Sequence, residues 1–172
     1  MSVEESAQKI QQQLGEAWLP RIYRERILKL RTRSYHFETA NSARVEIQHT
    51  LLGVELKVGR KRLLCPDLAT ARYLSMFARL GCKDVAVPYD ITKISHLADE
   101  LESSWYRMLL LLEQETKSNS ARFRGRLRGL LLAKIRSEIA DAGPGARIPE
   151  FRQSTKQRAY VSQSVRRNDK RG

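Results

Sequence analysis

Ala43-Arg-Val-Glu-Ile-Gln-His-Thr-Leu-Leu-Gly-Val-Glu-Leu-Lys-Val58 is the stretch in which the hydrophobic period of the chain changes from helical to two. Ala43, Val45, Ile47, His49 and Leu51 fall on one face, with Arg44, Glu46, Gln48 and Thr50 on the other. Val54, Leu56 and Val58 then alternate with Glu55 and Lys57. Two alternating runs about a central Leu52-Gly53 predict an antiparallel hairpin. With those two residues as the loop, Leu51 faces Val54, His49 faces Leu56 and Ile47 faces Val58, so the apolar faces coincide. His49 then reads as a core histidine. Gly59-Arg60 turns the chain into a further strand over Lys61–Cys65, and Ser34–Glu38 supplies an earlier one.

The flanks read as helices. Val3, Ala7, Ile10, Leu14 and Trp18 recur at three-to-four spacing, and a second stripe follows Pro20 through Ile22, Tyr23, Ile27 and Leu30. Asp67 opens a helix with Leu68, Ala71, Leu74, Phe77 and Ala78 on its apolar face, and Gly81 stops it. Val85–Val87 is a short buried strand. Asp90 or Thr92 caps a longer helix over Ile91–Glu115, and Ala121–Ile139 has a helical period through Leu127, Leu131 and Ile135. Asp141-Ala-Gly-Pro-Gly breaks that helix, and the chain beyond Ile148 is polar, basic and poor in aliphatics, the composition of a flexible tail. The fold class is therefore α+β. A small antiparallel β-meander over 34–65, joined by 85–87, packs with helices in a globular unit over residues 1–116. A basic helix over 117–142 and a tail over 143–172 follow.

Charge is distributed as unevenly as structure. From Lys117 onward there are 15 Lys and Arg against 4 Asp and Glu, whereas the first 116 residues hold 17 against 15. A near-neutral body with a basic extension suits a polyanion, and closely spaced phosphates reward clustered Lys and Arg through counterion release. Arg122, Arg124, Arg126 and Arg128 alternate with apolar residues and glycine, and guanidinium groups bind phosphate bidentately. Further candidates are Arg60, Lys61 and Arg62 at the strand turn, and Arg152, Lys156, Arg158, Arg166 and Arg167 in the tail. Arg21, Arg24, Arg26, Lys29, Arg31 and Arg33 form a basic face on the second helix.

Enzymatic motifs are scarce. No phosphate loop or nucleophile elbow occurs, and His36, His49 and His96 have no ligand spacing, so no metal and no cofactor is expected. Cys65 and Cys82 read as reduced core thiols of a cytoplasmic protein. A polar, acidic start with no apolar run near 18 residues leaves neither a signal peptide nor a membrane span to expect.

Glu55-Leu-Lys57 is the exception. It resembles the Glu-x-Lys of the PD-(D/E)xK nuclease superfamily, whose helix, three-stranded meander, helix and further strand are similar in order to the elements from Trp18 to Tyr89. The resemblance implies an Mg²⁺-dependent nuclease, with Glu55 a metal ligand and Lys57 orienting water or stabilising charge. The preceding strand would supply the second carboxylate, and Glu46 is the candidate. In the register above, Thr50 lies opposite Glu55 and Glu46 opposite Gly59, roughly 13 Å along the strand, too far for two ligands of one ion. The residues thus point to non-catalytic binding of RNA or DNA. A nuclease using Glu46, Glu55 and Lys57 is one alternative. Another is an assembly factor that docks an acidic protein on its basic tail and offers Trp105–Leu112 as a partner surface.

Overall fold

The computed structural model describes residues 1–38 and 44–145. Helix α1 (Val3–Leu14) begins in a reciprocal cap, in which the Glu5 N–H donates to Ser2 Oγ at 3.1 Å and the Ser2 N–H to Glu5 Oε2 at 3.3 Å. After a 3₁₀ turn (Gly15–Ala17), α2 (Leu19–Ile22) starts with proline in its first turn and passes into a π-helical turn (Tyr23–Ile27). Strand β1 (Thr32–His36) follows. The meander β2 (Val45–Thr50), β3 (Gly53–Val58) and β4 (Lys61–Cys65) comes next. Helix α3 (Leu68–Leu80) is capped by Asp67, which accepts from the Thr70 N–H at 2.7 Å, and ends at left-handed Gly81. Strand β5 (Asp84–Pro88) leads to α4 (Ile91–Glu115), capped by Asp90, and to α5 (Ala121–Ala142), capped by Ser120.

The α+β class is as the periodicity predicts, with one difference in the sheet. β5 does not join the meander. It pairs antiparallel with β1 from Thr32↔Pro88 to His36↔Asp84, making a separate two-stranded ribbon. The backbone groups of Ala86 on β5 are met by tyrosines: the Ala86 N–H donates to Tyr23 Oη at 2.9 Å, and Tyr73 Oη donates to the Ala86 carbonyl at 2.5 Å.

The hairpin register also differs from expectation. Thr50 pairs with Gly53, Gln48 with Glu55 and Glu46 with Lys57, so the loop is Leu51-Leu52. Thr50 closes that turn: its hydroxyl accepts from the Leu52 N–H at 3.2 Å and donates to the Gly53 carbonyl at 3.3 Å. Relative to the register argued from pattern, every partner moves by two residues. A shift of two leaves each side chain on its own face, so the apolar pattern is satisfied equally by both. His49 is a second correction. It is exposed, because the hairpin end projects past the core and leaves Leu51 and Leu52 in solvent as well.

One core unites the helices with both sheets. Leu56, Val58 and Cys65 line the covered face of the meander, which packs on α3. Trp18, Tyr23, Tyr73 and Phe77 fill the centre. Leu127, Leu131, Ile135 and Ile139 are buried in the same cluster, so α5 is a wall of the globule as well as a basic helix. The Gly143-Pro-Gly145 segment packs on the globule. Tyr23 Oη donates to the Gly143 carbonyl at 2.6 Å, and a Cβ at Gly145 would meet Thr32 Oγ1 at 2.6 Å. The chain therefore stays packed through residue 145.

Candidate nucleic-acid interface

The alternating arginines of α5 divide by helical geometry into two pairs. Steps of four residues keep side chains on one ridge. Arg124 and Arg128 lie toward α4: Arg124 Nε donates to Thr116 Oγ1 at 3.1 Å, and the Arg128 guanidinium sits 5.8 Å from the Trp105 ring centroid. Thr116 is itself fixed, its hydroxyl donating to the Leu112 carbonyl at 2.7 Å. All four arginines are exposed, and Arg122 and Arg126 meet no partner among the described residues. Lys134 continues their ridge, is also exposed, and has none either. Its place on this ridge is not evident from sequence, where it follows the apolar run 130–133. The four-residue step from Arg122 through Arg126 and Leu130 is the signal that finds it.

The basic face on the second helix is different in kind. Arg21 Nε lies 3.0 Å from Glu25, Arg24 3.4 Å from Glu138 and Arg26 2.8 Å from Glu100, and the Arg31 guanidinium stands 5.7 Å from the Tyr89 ring centroid. These arginines are largely matched by acids, two of which come from distant helices. At the β3–β4 turn, Lys61 pairs with Glu38 at 3.1 Å, whereas Arg60 and Arg62 are exposed without a partner among the described residues. Arg152, Lys156, Arg158, Arg166 and Arg167 lie outside the described residues.

On the open face of the meander, Glu46 stands directly opposite Lys57, and Lys57 opposite Arg62. Glu55 is opposite Gln48, which makes Glu46 and Glu55 diagonal neighbours, about 7–8 Å apart at the backbone. The separation of roughly 13 Å inferred from pattern is corrected by the register. Gln48 Nε2 donates to Glu46 Oε2 at 3.3 Å. No three His, Cys, Asp or Glu side chains among the described residues are grouped to hold a metal, so a divalent ion here would have two carboxylates only. Burial pushes the thiol of Cys65 up to about 11 and that of Cys82 up to about 12, so both are protonated at neutral pH.

The Trp105–Leu112 segment is split. Trp105, Met108 and Leu112 are core, and Tyr106 and Leu110 are exposed. No helix among the described residues is long and apolar enough to cross a membrane. No family model, curated protein or solved structure matches this chain.

Proposed function

We propose that this protein binds RNA or DNA without catalysis, neutralising the phosphate backbone with the outward cations of α5 and the basic chain beyond it. The carrying observation is the division of the arginines into paired and unpaired. A guanidinium held by a carboxylate must give up that partner to take a phosphate. Arg122, Arg126 and Lys134 have nothing to give up, and they share one ridge. Contacts to phosphate carry no base information, so affinity is expected to vary little with sequence. Arg60 and Arg62 form a smaller second patch on the β3–β4 turn.

The test is fluorescence anisotropy of a labelled single strand of about 20 nucleotides, titrated between about 50 and 200 mM salt. The three α5 cations alone give a slope of log affinity against log salt of about −2. A slope near zero, or no binding at the lowest salt, contradicts the proposal.

One observation favours a second reading, the metal-dependent nuclease. The pairing places Glu46 one diagonal step from Glu55 and opposite Lys57. Glu46 and Glu55 would hold an Mg²⁺ ion, which would supply Lewis-acid activation at a phosphodiester. On that reading, Mg²⁺-dependent cleavage of a labelled strand disappears in both Glu46→Ala and Glu55→Ala. On the non-catalytic reading, the wild-type chain binds the strand and leaves it intact in Mg²⁺ and in Mn²⁺.

A further inference from the structure

Strands β1 and β4 border a cleft of about 230 Å³. Its lining takes in consecutive residues from both, 33–36 of β1 and 63–66 at the end of β4. Side chains alternate between the faces of a strand, so a cavity that touches every residue in turn lies at the strand edge. Thr70 and Leu74 of α3 and Val87 of β5 close its floor. No pairing joins β1 to β4, and the cleft separates the ribbon from the meander.

The ladders fix which backbone groups look into this cleft. The Phe37 N–H donates to the Lys83 carbonyl at 2.7 Å and the Tyr89 N–H to the Arg31 carbonyl at 3.2 Å, extending the β1–β5 ladder at either end. Odd-numbered residues of β1 therefore bond β5, and the N–H and C=O of Ser34 point the other way. On the meander, the Gly59 N–H donates to the Arg44 carbonyl at 2.8 Å, so odd-numbered residues of β3 bond β2 and even-numbered ones bond β4. The pairing of Leu56 with Leu63 then turns the N–H and C=O of Arg62 and Leu64 outward. Among the described residues no backbone partner meets the outward groups of Ser34 or Leu64. Ser34 is half-buried and Leu64 is exposed, so a ligand reaches both from solvent.

An open strand edge is matched by another extended peptide backbone. The cleft is also smaller than the roughly 300–1,000 Å³ of small-molecule sites, which suits the side chains of an added strand. Its two sides ask for different side chains. Tyr35, Leu63, Leu74 and Val87 make the inner side apolar. On the open face Arg62 is exposed without a partner among the described residues, and Lys57 stands opposite it. Alternation along a strand meets both demands at once, with apolar residues inward and acids outward.

We infer that the β1–β4 cleft binds an extended acidic peptide of a partner protein. The peptide adds as a strand on the free edge of β1, with β4 as the opposite wall. Its apolar side chains meet Leu74 and Val87, and its acids lie beside Lys57 and Arg62. This activity goes beyond phosphate binding and uses residues outside α5.

The probe is fluorescein-labelled Glu-Val-Glu-Val-Glu-Val-Glu, titrated into the full-length protein and followed by anisotropy. One control is the same peptide N-methylated throughout, which keeps charge and side chains but has no backbone donors. The other replaces each Glu by Lys. The acidic peptide should bind about tenfold tighter than either control, the loss expected for one or two hydrogen bonds or charge contacts. Ser34→Pro removes the outward N–H and leaves the β5 ladder intact, since proline is tolerated where a strand N–H faces solvent. It should weaken the acidic peptide about tenfold and leave the affinity for single-stranded nucleic acid unchanged. Equal affinity for the acidic and N-methylated peptides would reduce the binding to charge attraction and overturn the inference, as would no binding of the acidic peptide. A dimer in light scattering that Ser34→Pro dissolves would give the edge to a second copy of this chain and overturn the assignment to a partner protein. Should Ser34→Pro not fold, the comparison of the acidic and N-methylated peptides on the wild-type protein decides alone.

Discussion

A chain ending at residue 120 loses cooperative unfolding, whereas one ending at residue 145 keeps it. Leu127, Leu131, Ile135 and Ile139 of α5 are each buried in the common core. Burying such a side chain contributes about 1.5–3 kcal/mol, so the four together contribute about 6–12 kcal/mol. That is the size of the whole net stability of an ordinary domain. Ending the chain at residue 142 should retain folding but cost about 1–3 kcal/mol relative to 145, because Tyr23 Oη loses its acceptor on Gly143. Thermal and urea unfolding of the three truncations, followed by circular dichroism, measures all of this. Unfolding of the 1–120 chain as sharply as the 1–145 chain would show that α5 is dispensable, and the description of the core would be wrong.

Tyr23→Phe should destabilise the protein by about 2–4 kcal/mol. The hydroxyl bridges two elements: it accepts from the Ala86 N–H of β5 and donates to the Gly143 carbonyl beyond α5. Removing it strands the buried Ala86 N–H, at about 1–3 kcal/mol, and the part-buried Gly143 carbonyl, at about 1 kcal/mol. The π-helical turn that starts at Tyr23 delivers this side chain to the junction. Burial pushes the hydroxyl up to about 12, above the value of about 10 that it has in an unfolded chain. Its folded-state pKa is the higher one. The unfolded chain therefore loses the proton first, and stability is complete below about pH 10 and falls as pH rises toward 12, by up to about 1.4 kcal/mol per unit for this group. Tyr23→Phe has no such proton to lose. The stability gap between wild type and variant should accordingly narrow between pH 10 and 12 in urea titrations. A constant gap across that range would mean that the hydroxyl is not held as described.

Features specified by neighbouring residues were legible in the sequence. Asp67 and Gly81 mark both ends of α3, and Asp90 marks the start of α4, because caps act within one turn. The hairpin was legible but its register was not. A period of two cannot separate registers that differ by two residues, and the deciding interactions are the Thr50 hydroxyl bonds within the turn. Val85–Val87 reads as a strand, yet an apolar run carries no partner signal, and its pairing with β1 comes from tertiary packing around Tyr23 and Tyr73. The same limit applies to the interface. Arg122 to Arg128 stand out as a cluster, but only the fold shows that Arg124 and Arg128 are engaged by Thr116 and Trp105. Arg24 and Arg26 read as equally available until α5 and α4 bring Glu138 and Glu100 to them. Partners so distant in sequence leave no local trace.

Comparison of two double variants tests the central claim most directly. Salt slopes for a labelled single strand are measured for the wild type, for Arg122→Gln with Arg126→Gln, and for Arg124→Gln with Arg128→Gln. Removing one cation from a phosphate lowers the slope by about 0.7–0.9, so the outward pair should flatten it by about 1.4–1.8 with the melting temperature unchanged. The second pair, engaged by Thr116 and Trp105 of the α4 side, should flatten it by less than half as much and lower the melting temperature instead. An unchanged slope in the Arg122 and Arg126 variant, or a greater flattening in the Arg124 and Arg128 variant, would contradict the proposal that the unpartnered ridge of α5 is the nucleic-acid surface.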